Sequence, residues 1–293
     1  MTMKEPITFE HYLHQIKHTP QTVKSYLFAN KVFMTDNPQP DDYKYKDIVE
    51  YLNQKVKDYA NQNTKLYILN GIKKYYDYLI DIGRRNDHPC RNFFIRNVRN
   101  RQVIHQDLFS SSELELLLER EERYADLKQR NQVVMSLLIY QGLNSGEIQN
   151  LNLSNIDFDN GTIFIKASRK IGQRHIELHN KQFRLIDHYL QEGRKSLMRE
   201  ETNALILGKL GTRLTVDDIH YLVSTYKPLF PDRNLTPSTI RQSVISNWLN
   251  EKKLPLEQVQ MISGQKWIST TVKYRQINIE EQRELMNRFH PLG

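Results

Sequence analysis

Cysteine occurs once in the 293 residues, at Cys90. A single thiol excludes an internal disulfide framework and a cysteine-based zinc cage. No apolar run approaches the ~20 residues that a membrane-spanning helix needs. The opening stretch, MTMKEPITFEHYL, has no apolar core of the secretory kind. A cytoplasmic protein with no membrane partner is the default expectation. Several enzyme signatures are missing too. There is no Gly-rich phosphate loop, no G-x-S-x-G elbow and no H-E-x-x-H helix. His175 and His179 are four apart, but they fall on a strand pattern, which suits exposed strand-end histidines better than metal ligands. No metal and no cofactor is expected.

Charge is present in excess of one sign. The net charge is +8, with 39% hydrophobic and 26% charged residues. That balance fits a globular protein with a polyanionic partner, most often nucleic acid. No long single-sign block occurs, so binding would come from a folded surface.

Periodicity predicts a helical bundle over 1–86. Thr8 and Thr19-Pro20 read as helix starts, a capping hydroxyl with proline where no N–H is needed. Ile48, Tyr51, Leu52 and Val56 mark a third helix. A fourth opens at Asn63-Thr64 and stops at Gly83. Residues 87–106, rich in Arg and Asn, read as a basic linker. A second domain over 107–293 starts with the capping-box pattern Ser110-x-x-Glu113. A buried helix ends at Gly142, and a short helix follows from Ser145. Strands flank a hairpin turn at Asp159-Asn160-Gly161 and a second turn near Arg169 to Gly172. Helical patterns then run on from Gln182, with another threonine-proline start at Thr236-Pro237.

The last third carries three short boxes in order. They are Ser238-Thr239-Ile240-Arg241, Ser263-Gly264-Gln265 and Thr271-Val272-Lys273-Tyr274. Upstream lies Gly142-Leu143-Asn144-Ser145-Gly146-Glu147. Together these resemble the tyrosine recombinase and phage integrase family. Its usual boxes are Gly-Leu-Arg-x-x-Glu, His-x-x-Arg, Leu-Gly-His and Thr-x-x-Tyr. The nine-residue interval from Gln265 to Tyr274 is similar to the family spacing. The resemblance covers nearly the whole chain. It implies a mainly α fold: a helical, SAM-like core-binding domain, then an α+β catalytic-type domain with a small antiparallel sheet. It also implies double-stranded DNA as partner, gripped by a two-domain clamp, with a homo-oligomer or a recombinase partner on the DNA. The segment EEQRELMNRFHPLG at 280–293 would dock on a neighbouring protomer or on its own domain.

In the family, a tyrosine attacks a DNA phosphodiester and keeps the bond energy in a 3′-phosphotyrosine link, so no cofactor is required. Two arginines neutralise the phosphate oxygens, whose geometry suits a planar fork. A hairpin lysine and histidines move protons. Carried over, the resemblance makes Tyr274 the nucleophile, Arg241 a phosphate ligand and Lys170 the hairpin acid, with Lys166 and Arg169 as rivals. Three positions are degenerate. Asn144 replaces the first arginine, and Ser238 and Gln265 replace the histidines. Losing one oxyanion donor costs ~10²–10³ in rate, and a lost charged clamp at least that order. Arg130, Arg169, Arg174 and Arg213 are the candidates to fill the gap at Asn144. Trp267, just after the third box, reads as a core or domain-edge aromatic.

Two readings follow. One is a site-specific recombinase, acting in recombination, integration or mobile-element movement, with impaired cleavage through Tyr274. The other is a catalytically inactive DNA-binding accessory or regulatory protein on the same fold. Retained Tyr274 and Arg241 favour the first; Asn144, Ser238 and Gln265 favour the second.

Overall fold

A computed structural model describes residues 7–58, 62–95, 108–119, 122, 124–168 and 171–275. The chain divides into two compact units, 1–102 and 103–293. Among the described residues no helix is long and apolar enough to cross a membrane.

The first unit is helical. Thr8 caps α1 (Phe9–Gln15), its Oγ1 accepting the His11 N–H at 3.2 Å. Thr19 caps α2 (Pro20–Asp36) in the same way through the Thr22 N–H at 3.3 Å. The hydroxyl satisfies a donor that the helix leaves free. Next come α3 (Tyr45–Asp58) and α4 (Gln62–Asp81). The chain leaves α4 through Gly83, whose φ of 72° lies in the left-handed region that glycine enters without penalty. Phe33, Ile48, Leu69, Ile72, Tyr76 and Leu79 are fully buried together. Gly71 permits a close crossing of α2 and α4: any Cβ there would collide with the Cβ of Ala29.

Part of the segment expected as linker packs on the first unit. Cys90 is sealed in the core of the first unit, and His88 lies 3.1 Å from the Lys73 carbonyl. Burial pushes the Cys90 thiol up to about 12, so it is an inert packing group. Phe93 is half-buried and packs edge-on against Tyr45, while Phe94 is exposed beneath the Lys73 ammonium.

The second unit is built on α6 (Ala125–Tyr140), which follows the short α5 (Ser111–Glu115). Ser110 and Glu113 form the expected capping box. Gly142, at φ 57°, turns the chain sharply out of α6 and into α7 (Ser145–Gln149). A three-stranded antiparallel sheet follows in the order β1 (Ile156–Asp157), β2 (Thr162–Ile165) and β3 (Arg174–Glu177). Its register pairs Ile163 with Ile176 and Ile165 with Arg174. Cross-strand partners share a face, so Arg174 enters the buried face beside Ile163 and Ile165.

After the sheet come α8 (Asn180–His188), one π-helical turn at Tyr189–Gly193, α9 (Arg194–Leu197) and α10 (Val216–Ser224). Thr236 caps α11 (Pro237–Asn250) through the Thr239 N–H at 3.1 Å. This helix packs on α6, and its Ser243 and Asn247 side chains bind the Phe109 backbone at 2.9 and 3.0 Å. The chain then forms α12 (Leu256–Ser263) and α13 (Ile268–Val272). Gly264, at φ 69°, ends α12, and its carbonyl accepts the Gly172 N–H at 2.8 Å. That bond ties the loop between β2 and β3 to the box at 263–265.

Candidate active site

Asn144 is a helix cap. Its Oδ1 accepts the Glu147 N–H at 2.9 Å, and its own N–H donates to Glu147 Oε2 at 2.9 Å. This reciprocal box consumes the side-chain oxygen of Asn144 and turns the Glu147 carboxylate inward. The residue that the resemblance sets at the first-arginine position is thus used here to start α7.

Glu147 is the hub of the site. Its side chain is 5% exposed and meets two arginines. Arg174 Nη1 donates to Oε1 at 2.7 Å, and Arg241 Nη1 stands 3.6 Å from Oε2. A buried carboxylate survives only when paired, so the two arginines and Glu147 stabilise one another's burial. Arg174 also donates through Nε to the Ile262 carbonyl at 2.7 Å. Its Nη2 is buried with no hydrogen-bond partner among the described residues. An orphaned donor of this kind costs about 1–3 kcal/mol.

Arg241 rises from the second turn of α11. Its guanidinium donates to the Gly142 carbonyl and, at 2.7 Å, to the Ser263 carbonyl. It therefore ties the box at 142–147 to the box at 263–265. Burial lowers its pKa, Glu147 opposes that shift, and Arg174 adds to it. Tyr274 follows α13 and packs its ring on the core of the unit. Burial raises its phenol pKa, and the Arg241 charge pulls the other way. Asn250 holds its backbone carbonyl at 2.9 Å.

The other candidates fare unequally. Ser238 is exposed on the first turn of α11. Gln265 is engaged: its Oε1 accepts the hydroxyl of fully buried Thr271 at 2.6 Å. Lys170 and Arg169 lie outside the described residues, as does 280–293. Lys166 is exposed and lines a cavity of about 550 Å³ with Asn144, Glu147, Asn152 and Arg213. Arg213 is bonded to the Leu151 carbonyl at 3.0 Å and to Asn152 at 2.7 Å. Arg130 bonds its neighbour Asn131 at 2.6 Å. Of the described arginines proposed for the gap, Arg174 is the one that reaches Glu147. Trp267 is 75% exposed at the start of α13, so it is no core aromatic. His179 caps α8 and stacks on Tyr140 at 4.6 Å, while His175 is exposed against Phe164.

Sequence reasoning passed over Glu147 as a functional residue and left Arg174 among four alternatives. A signal existed for the second. In Arg174-His175-Ile176-Glu177 the arginine is in phase with the isoleucine, which marks an inward-facing charge.

Two arginines thus meet one buried glutamate, and the charge of one of them acts on the Tyr274 phenol. Residues 108–281, more than half of the chain, match the phage integrase family. The chain belongs to that family, whose members are the tyrosine recombinases. It is 25% identical to the tyrosine recombinase XerC of Oceanobacillus iheyensis over 97% of this chain and 95% of that protein. It is 25% identical to XerD of Vibrio cholerae over 78% and 75% of the two chains. Among solved structures it is similar to the Tn1549 transposon integrase in complex with transposon right-end DNA, with TM-score 0.69, 17% identity and coverage of 96% and 98%. It is also similar to the XerH site-specific recombinase bound to its difH substrate, with TM-score 0.67, 17% identity and coverage of 91% and 79%. At such identities the structural likenesses establish the fold.

Proposed function

We propose that this chain binds double-stranded DNA and acts in site-specific recombination or integration, with strand cleavage through a 3′-phosphotyrosine at Tyr274 that is slow. The observation that carries this reading is the placement of Arg241. It is held by the Gly142 and Ser263 carbonyls, and its charge acts on the Tyr274 phenol. A nucleophile and a phosphate-binding cation are thereby kept in one electrostatic unit. Asn144 argues for slowness, because its oxygen is spent on the α7 cap and it carries no charge. The names of similar proteins, which include DNA-bound integrases and recombinases, support DNA as the partner. Lys170 stays the candidate for the proton donor to the leaving oxygen, with Arg169 and Lys166, which lines the cavity beside Asn144, as its rivals.

The second reading, a DNA-binding accessory without cleavage, is favoured by exposed Ser238 and by Gln265, which Thr271 engages. One experiment separates the two. Duplexes are selected from a random pool by the protein itself, rebuilt as nicked suicide substrates, and incubated with the native chain and with Tyr274→Phe. A covalent protein–DNA band on a denaturing gel, absent with Tyr274→Phe, is the expected result. Salt-sensitive binding by both proteins with no band would transfer the assignment to the accessory reading.

A further inference from the structure

We propose that Arg174 stands in for the missing first-box arginine by holding the Glu147 carboxylate, which leaves the Arg241 charge available to a DNA phosphate. The inference rests on the reading that this site receives phosphate.

Three side chains set the charge: two guanidinium groups and one carboxylate, a net of +1. The carboxylate is shared unequally. Arg174 takes it at 2.7 Å, whereas Arg241 stands off at 3.6 Å. The Asn144 N–H takes the second oxygen at 2.9 Å and keeps Glu147 turned toward Arg174. Arg241 meanwhile is fixed by two neutral carbonyls, those of Gly142 and Ser263, which place the guanidinium without cancelling its charge. Without Arg174, the cluster becomes neutral. Glu147 would then have Arg241 as its one cationic partner among the described residues, and a phosphate would meet a closed ion pair.

The fold commits Arg174 to this place. Strand phase sends it inward opposite Ile165. Its Nε is anchored on the Ile262 carbonyl at 2.7 Å. Gly264 leaves room for it, since a Cβ there would stand 2.6 Å from Nη1. Arg130 and Arg213 are bonded elsewhere and cannot share the task. Arg174 is thus a positioning residue, acting on phosphate through Glu147 and Arg241.

The test uses binding, so it does not depend on cleavage. The full chain carries Tyr274→Phe throughout. Its selected duplex is made with single neutral methylphosphonate linkages scanned along each strand. The unaltered site should bind one such duplex at least about tenfold more weakly than all-phosphate DNA, the scale of a lost charge-assisted contact. Arg174→Gln should bring that ratio close to one. Adding Glu147→Gln, which keeps the α7 capping box, should restore it, because the net charge returns to +1. Arg174→Lys should retain it. A ratio unmoved by Arg174→Gln, or a double variant worse than the single one, would overturn the proposal in favour of a structural ion pair. Should Arg174→Gln fail to fold, Glu147→Gln alone decides. The proposal expects a larger ratio, and an unchanged or smaller one contradicts it. A native chain that retains no duplex from the pool overturns the DNA reading itself, and this inference with it.

Discussion

A Cβ placed on Gly264 would stand 2.6 Å from Nη1 of Arg174. The turn after α12 therefore has two constraints at once, a φ of 69° and the side chains of Arg174 and Ile171 standing where a Cβ would go. Gly264→Ala should cost about 1–3 kcal/mol from the left-handed backbone alone, and more from displacing Arg174. Gly161→Ala is the control, because φ is 62° there and nothing lies within 4 Å of its added methyl. Urea denaturation should show the Gly264 variant clearly less stable than the Gly161 variant. Equal losses would mean that Arg174 and Ile171 both move aside freely.

Stability and affinity should move in opposite directions at Asn144. Asn144→Arg removes the oxygen that accepts the Glu147 N–H, a cap contact worth ~1 kcal/mol. The same change adds a cation beside the cavity that Lys166 and Arg213 line. Melting temperature should fall while affinity for the selected duplex rises. Asn144→Asp should keep the cap and weaken binding. Parallel thermal melts and gel shifts check both, and an arginine variant that loses affinity would remove this face from the DNA interface.

The pair Glu113–Arg233 gives a pH test of the second unit. Arg233 hydrogen-bonds the carboxylate and lies over the Phe109 ring at 4.4 Å. That bond holds the Glu113 pKa below the usual value. A depressed carboxylate pKa adds stability that is complete above the unfolded value, ~4.3, and is lost as pH falls through the folded value. With a quarter to a third of each side chain exposed, the contribution is of order 1 kcal/mol. Urea midpoints of the native chain should exceed those of Glu113→Gln by a constant margin from pH 8 to 5. The margin should close below pH 4. A gap that persists at pH 3 would assign the effect to packing instead of charge.

Much of this architecture is written locally. Thr8, Thr19, Ser110 and Thr236 each mark a helix start because a capping hydroxyl acts on donors two or three residues away. The boxes at 142–147, 238–241 and 263–274 are legible for a similar reason, since each is a short local run. What sequence left open is long-range. Arg174 and Glu147 are 27 residues apart, and their meeting depends on strand register and on the turn at Gly264. Cys90 reads as linker because its burial comes from α4 and the chain folding back on it. Trp267 misleads in the other direction: a large apolar residue carries no local sign of exposure.

On the proposed reading Tyr274 attacks as phenolate, and burial holds its pKa above the ordinary 10, against the pull of Arg241. The phenol is thus protonated at neutral pH and must lose its proton before or during attack. Ser238 and Gln265 titrate nowhere near pH 7, so the two positions that hold histidines in the family contribute no inflection. Single-turnover cleavage of the suicide duplex should rise by about tenfold per pH unit between 6 and 9. There should be no plateau from a group near 6.5, the ordinary histidine value. Gln265→His should introduce such an inflection and raise the rate at pH 7. A native profile that levels off near pH 7 would show that another base already serves Tyr274, and the rate loss would then rest on the uncharged Asn144.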